Sequence, residues 1–238
     1  MFIRIFKHEM RSMLRDKMYA FLLFYPLMMS AVAYFLIPYL KSEADPMAAH
    51  LVTLTFILLN SFMFGAITGF TLLDDQDDKV LLSLKITPIN VKIYVAIKLL
   101  ISYILGVGAT ILIIVVSQFY EVVSLLDLIF ILILVPMQGP VFALLINSFA
   151  KNKVEGFVMM KLSGIILLVP IAALFVTNWT ELFLGVLPGF WPARIISMQL
   201  IPVNYFLSQT WIYFILGVLV NTFVGLLFFN IYRKRVEI

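Results

Sequence analysis

Four aspartates in five residues, Asp74, Asp75, Asp77 and Asp78 around Gln76, form the stretch of this chain best suited by type and spacing to hold a metal. A carboxylate cluster can grip Mg²⁺ against a diphosphate, the chemistry of a membrane transferase. Transferases of that kind use two acidic motifs, and the sequence has no second one. The same acids suit the positive end of a helix dipole, so they can equally open a short helix that Pro88 stops near Thr87. On that helix Val80, Leu81, Leu84 and Ile86 form an apolar face, Lys79, Ser83 and Lys85 stay in water, and Asn90 caps the helix that follows. So short an amphipathic helix is not stable alone and calls for a partner surface. Other reaction chemistry finds little support. The only histidines are His8 and His50, cysteine is absent, and no Gly-x-x-x-x-Gly-Lys-Ser/Thr phosphate loop occurs. The expectation is a non-enzyme that binds no cofactor of its own.

The elements that must position this stretch are set by composition. Of 238 residues 63% are hydrophobic and 13% charged, and mean hydropathy is +1.08, more apolar surface than a water-soluble globule of this size can bury. The expected fold is an all-α polytopic membrane protein, a single transmembrane domain over 1–238. Residues 1–17 read as an interfacial helix, with Phe2, Phe6, Met10, Met13 and Leu14 on one face and Arg4, Lys7, Arg11 and Arg15 on the other. They do not read as a cleavable leader. Six apolar stretches follow at 19–40, 51–73, 93–118, 128–149, 157–176 and 210–232, each near the ~20 residues that cross a bilayer. Of the 17 lysines and arginines, all but Lys41 and Arg194 fall in the N-terminal segment, around 74–98, around 150–161 or in the tail. The positive-inside rule therefore places both termini and the 74–92 loop in the cytoplasm, as in a bacterial plasma membrane, with Trp179, Trp191 and Trp211 on the outer side. The net charge of +4 is thereby accounted for by topology, with no nucleic-acid partner implied.

Within the spans, no carboxylate is expected mid-membrane, and Lys98 and Lys161 lie close enough to the inner ends to snorkel. Asn60, Ser61, Thr68, Gln138, Asn147 and Asn221 either line a pathway or bond helix to helix. Gly65 and Gly69 form a small-xxx-small face, and Pro136 and Pro140 should break the fourth span. Residues 177–209, with Pro188, Gly189, Pro192 and Pro202, are too broken for a span and too apolar for a solvated loop. They predict a broken, re-entrant-like outer segment in which Glu181 and Ser208 meet solvent and Ile196 is partly shielded.

An acidic stretch Asp75-Gln76-Asp77-Asp78, a Leu-rich run Val80-Leu81-Leu82-Ser83-Leu84, then Thr87-Pro88 and Lys98 at the next span follow one another in the first inner loop. In this order, and in the topology around it, the chain resembles the membrane subunits of ATP-binding cassette (ABC) exporters of the type-2 permease class. Gln76 stands where that class carries a basic residue. The resemblance implies a permease that docks the 74–92 loop, through Asp77, Asp78, Val80, Leu81, Leu84, Ile86, Thr87 and Pro88, onto a cytoplasmic ABC ATPase. ATP and Mg²⁺ would be bound by that partner. It further implies a second permease chain, identical or different, and export of a lipophilic or amphipathic drug, peptide or lipid. The alternatives are the Mg²⁺-dependent transferase and an ATP-independent channel or secondary transporter, which would not need the Leu-rich helix.

Overall fold

Apolar runs and the caps between them set the helix boundaries. The protein, in a computed structural model that describes residues 2–43, 45–86, 90–166 and 171–236, is a bundle of helices with no strand among the described residues. Asp16 separates α1 (Phe2–Arg15) from α2 (Lys17–Glu43), its carboxylate accepting from the amide of Met18 at 2.8 Å. Asp45 caps α3 (Pro46–Asp77), whose first residue, Pro46, has no amide hydrogen to leave unpaired. A six-residue α4 (Val80–Lys85) leads towards α5 (Val91–Val116), and Asn90 caps α5 through the Lys92 amide at 2.9 Å, as expected. Then come α6 (Leu125–Leu134), α7 (Gln138–Phe149) and α8 (Lys153–Ile166). The last three are α9 (Glu181–Leu184), α10 (Phe190–Leu200) and α11 (Thr210–Val236).

Five candidate spans stand out among the described residues: α2, α3, α5, the α6–α7 pair and α11. The fourth expected span is broken where Pro136 and Pro140 forbid regular bonding, between Leu134 and Gln138. The fifth, expected at 157–176, does not form one long helix within the described residues. Its α8 is 14 residues, 167–170 lie outside the description, and a 3₁₀ turn follows at Ala173–Phe175. The two ends of this stretch nonetheless lie at opposite ends of the bundle. Lys153 pairs with Asp74, whereas Ala173 and Leu174 pack with Phe190, Trp191 and Tyr213.

The centre is α3, which packs along α7, α5 and α2. Its 32 residues extend roughly 48 Å at ~1.5 Å per residue, well beyond a ~30 Å hydrocarbon layer, so its final turn projects from the apolar zone. Gly65 gives the close approach to α7: a methyl there would meet the Gly139 carbonyl oxygen at 2.5 Å. By contrast, α2 and α11 expose Phe21, Phe24, Phe35, Leu219 and Phe223, as helices bathed in hydrocarbon do.

In the outer segment α10 is buried along most of its length, while Glu181 is fully buried, contrary to expectation, and Ser208 is exposed. Trp179 and Trp211 are about half exposed, but Trp191 is a core residue whose indole donates to the Gly185 carbonyl at 2.9 Å. A tryptophan can sit in a core in this way when its N–H finds an acceptor.

Candidate functional site

The acidic stretch does not open α4. It closes α3, and the chain turns at Asp78 and Lys79, where Lys79 takes φ 56°, the left-handed conformation that commonly ends a helix. Carboxylates at that end face the negative pole of the dipole and need cations nearby. Asp74 has Lys153 of α8 at 2.8 Å and the Tyr19 hydroxyl of α2 at 2.5 Å. Asp75 forms a short ion pair with Lys98 of α5. The same ammonium lies 3.3 Å from Glu9 of α1 and donates to the Thr71 carbonyl, while the Tyr94 hydroxyl is 3.1 Å from both carboxylates. Gln76 donates to Asn147 of α7 at 2.9 Å. Asp77 and Asp78 are exposed.

Lys98 is 2% exposed, so it does not snorkel; its stem and charge are both enclosed, and the charge is matched by two acids. Glu9 was missed by sequence reasoning although a signal existed. It is three residues after Phe6 and four before Met13, on the apolar face of a basic helix, where a lone acid is out of place. Accordingly Met13 is buried and Phe6 and Met10 half-buried, so α1 leans on the bundle as well as carrying a basic face.

On α4, Leu81 is 1% exposed and packs with Leu72, Val95, Leu144 and Tyr232, while Val80 and Leu84 are half-buried. Leu81 thus has a partner within the chain. The apolar side chains left facing outward are Leu82 and Ile86, the latter 91% exposed. Val80, Leu81 and Leu84 of the expected face thus lie together but against the chain's own bundle, and only Ile86 of that set faces outward. Thr87 and Pro88 lie outside the described residues.

The amides of the spans mostly join helices. Asn147 donates to the Gly69 and Ala143 carbonyls at 2.9 Å, fastening α7 to α3. Gln138 donates to Asn221 at 2.8 Å, joining α7 to α11, and both amides reach the Pro188 carbonyl at 3.4 and 3.3 Å. Thr68 is buried. Asn60, Ser61 and Ser102 differ: their side-chain polar atoms are buried with no partner among the described residues, and Ser61 and Ser102 lie against Gly139 at the start of α7. Two cavities flank the Gln138–Asn221 bridge. One of about 600 Å³ lies between α5, α7 and α11, with Asn221 in its wall; the other, about 260 Å³, is lined by Gln138 and closed by 186–189.

At the opposite end, Glu181 and Arg194 are both fully buried and paired at 2.6 Å. Tyr213 donates to Glu181, Arg194 donates to the Val176 carbonyl, and the guanidinium lies 4.8 Å from the centre of the Tyr205 ring. These are the only charged residues in 177–209, and their opposite signs in an apolar segment were the available signal for pairing.

A family model described as "Fluoroquinolones export permease protein Rv2686c-like" matches residues 9–229. Two relatives from Mycobacterium tuberculosis, Fluoroquinolones export permease protein Rv2686c (strain H37Rv) and Fluoroquinolones export permease protein MT2760 (strain CDC 1551), are each 30% identical over 149 residues. Each match covers 60% of this chain and 58% of the relative, so less than two thirds of either relative is spanned. No solved structure matches.

Proposed function

The chain belongs to the Rv2686c-like family of fluoroquinolone export permeases, and from that premise we propose that it is the membrane subunit of an ATP-driven exporter, working with a separate cytoplasmic ABC ATPase and a second permease chain. The observation that carries this reading is the mounting of α4. Leu81 seats the helix on the bundle, while Leu82 and Ile86 remain outside as apolar contacts for a partner. Directly above it, Asp75, Lys98 and Glu9 bind α3, α5 and α1 together, and Asp74 and Lys153 add α8. A push on α4 by a closing ATPase would move these elements as one body and rock the bundle between inward and outward access. Asp77 and Asp78, exposed beside α4, supply charge for the same contact. The inner-membrane placement with cytoplasmic termini belongs to this proposal, and the shared end of α1, α4 and the α11 C-terminus supports it.

The relatives' names point to fluoroquinolones, and we assign the substrate to that class of amphipathic aromatic drugs. The test is fluoroquinolone accumulation in cells that express the chain with an ABC ATPase encoded beside it. Wild type should lower accumulation, and Ile86→Asp should abolish the effect and the co-purification of the ATPase without reducing membrane insertion. Burial of one such apolar side chain is worth about 1.5–3 kcal/mol, so at least a tenfold loss of docking is expected. Unchanged accumulation with and without the wild-type pair would sink the exporter reading. A magnesium transferase is disfavoured because the Asp74 and Asp75 carboxylates are already committed to lysines.

A further inference from the structure

The cavity of about 260 Å³ beside α7 has no charged residue in its wall and two polar side chains, Gln138 and Ser163, of which the Ser163 hydroxyl already donates within its own helix to the Met159 carbonyl at 2.6 Å. Phe62 of α3, Phe142 and Leu145 of α7, and Leu227 and Phe228 of α11 supply apolar and aromatic surface, with Val186 to Gly189 as its lid. The Phe62 and Phe142 rings pack on one another at 3.5 Å between centroids, tilted by 31°, and both line the cavity, making its wall aromatic. Gln138 is 9% exposed, and its amide nitrogen is fixed by Asn221 and the Pro188 carbonyl. Its Oε1 accepts no hydrogen bond from the described residues. A carbonyl oxygen left open in a largely enclosed side chain, held still by its own nitrogen at the edge of an apolar cavity, is an acceptor waiting for a donor.

We propose that this cavity is a binding site for an uncharged aromatic molecule that donates one N–H or O–H to Gln138 Oε1. An ion would lose its hydration to walls that offer no counter-charge, so charged forms are excluded. Asn221 acts as the positioning residue: it holds the Gln138 amide so that oxygen, not nitrogen, faces the cavity. The inference rests on the exporter reading only for the use of the site, which would be a station for substrate drawn from the bilayer; the binding itself needs no ATPase.

The probe is 4-aminobenzophenone, an uncharged aryl amine that is also a photolabel, applied to the purified chain in lipid nanodiscs, with labelled peptides mapped by mass spectrometry. Saturable labelling around 138–145 and 224–228 is expected. It should be at least fivefold weaker for 4-methylbenzophenone, which has the same size without the donor, and absent for 4-benzoylbenzoate. Gln138→Leu should lose the preference for the amine while keeping the weaker labelling. Val224→Trp, which fills the cavity from α11 and leaves both amides intact, should lose saturable labelling altogether. Equal labelling by amine and methyl probes, or a Gln138→Leu chain that labels like wild type, would mean that the cavity holds lipid chains, and the proposal falls. If labelling is as expected but no ATPase-dependent export exists, the exporter reading fails and the site stands. If export is intact and saturable labelling is absent, the site fails and the exporter reading stands.

Discussion

At the scale of single residues, the two enclosed charge clusters make the same demand on mutation: partners must leave together. Lys98 serves Asp75 and Glu9 together, so Lys98→Met leaves two carboxylates crowded in a buried space. Loss of one partner from such a pair costs about 3–5 kcal/mol. The expected result is a lower unfolding midpoint in detergent, partly restored when Asp75→Asn and Glu9→Gln are added; a single variant as stable as wild type would show that the charges are not enclosed. Likewise Arg194→Met should destabilise more than Arg194→Met combined with Glu181→Gln, since the pair leaves together. Cysteine placed at Glu181 should resist an impermeant thiol reagent in folded protein while cysteine at Ser208 reacts, because only the latter position is exposed. Pairings of this kind were hard to read from sequence. Glu9, Asp75 and Lys98 are separated by 66 and 23 positions and share no period, so only their oddness on an apolar face marked them.

Helices were far more legible than the contacts between them. Asn90 announced the start of α5, Pro136 and Pro140 announced the break between α6 and α7, and Gly65 announced a close crossing. What failed was the end of α3. Clustered acids favour a helix start, but lysines from α5 and α8 overrode that local preference and let α3 run on to Asp77. Crossing geometry can be tested with two glycines. Gly65→Ala drives a methyl into the Gly139 backbone and should cost about 1–3 kcal/mol of stability, whereas Gly108 on α5 has no heavy atom within 4 Å of such a methyl. Gly108→Ala should be neutral or gain up to about 1 kcal/mol from helix propensity. Equal effects in thermal unfolding would show that α3 and α7 do not approach as closely as the structure has them.

Across the whole molecule, the sequence was right about a helical membrane bundle and about a broken segment before α11, because hydropathy over ~20 residues is a strong signal. The route of residues 153–175 was less legible, since its described parts are a helix of 14 residues and, beyond 167–170, a 3₁₀ turn. Reporter fusions settle the count: tags after Ile238 and within Asp77–Lys79 should report the cytoplasm and a tag at Glu43 the exterior. A tag at Trp179 on the same side as one at Lys151 would show that the stretch between them does not cross.

The clamp of Glu9 on Lys98 also dictates an order of biogenesis. Almost ninety residues separate the two, a delay on the order of ten seconds at ~5–20 residues per second of synthesis. Until α5 is inserted Glu9 lacks its cation, although Met13 can already pack against Tyr19 of α2 and Phe70 of α3. The closing of Glu9 on Lys98 therefore reports that Asp75 and Lys98 have arrived at the same end of the bundle. Ribosome-stalled chains ending before Val91 should keep α1 open to protease, and chains long enough to insert all of α5 should not.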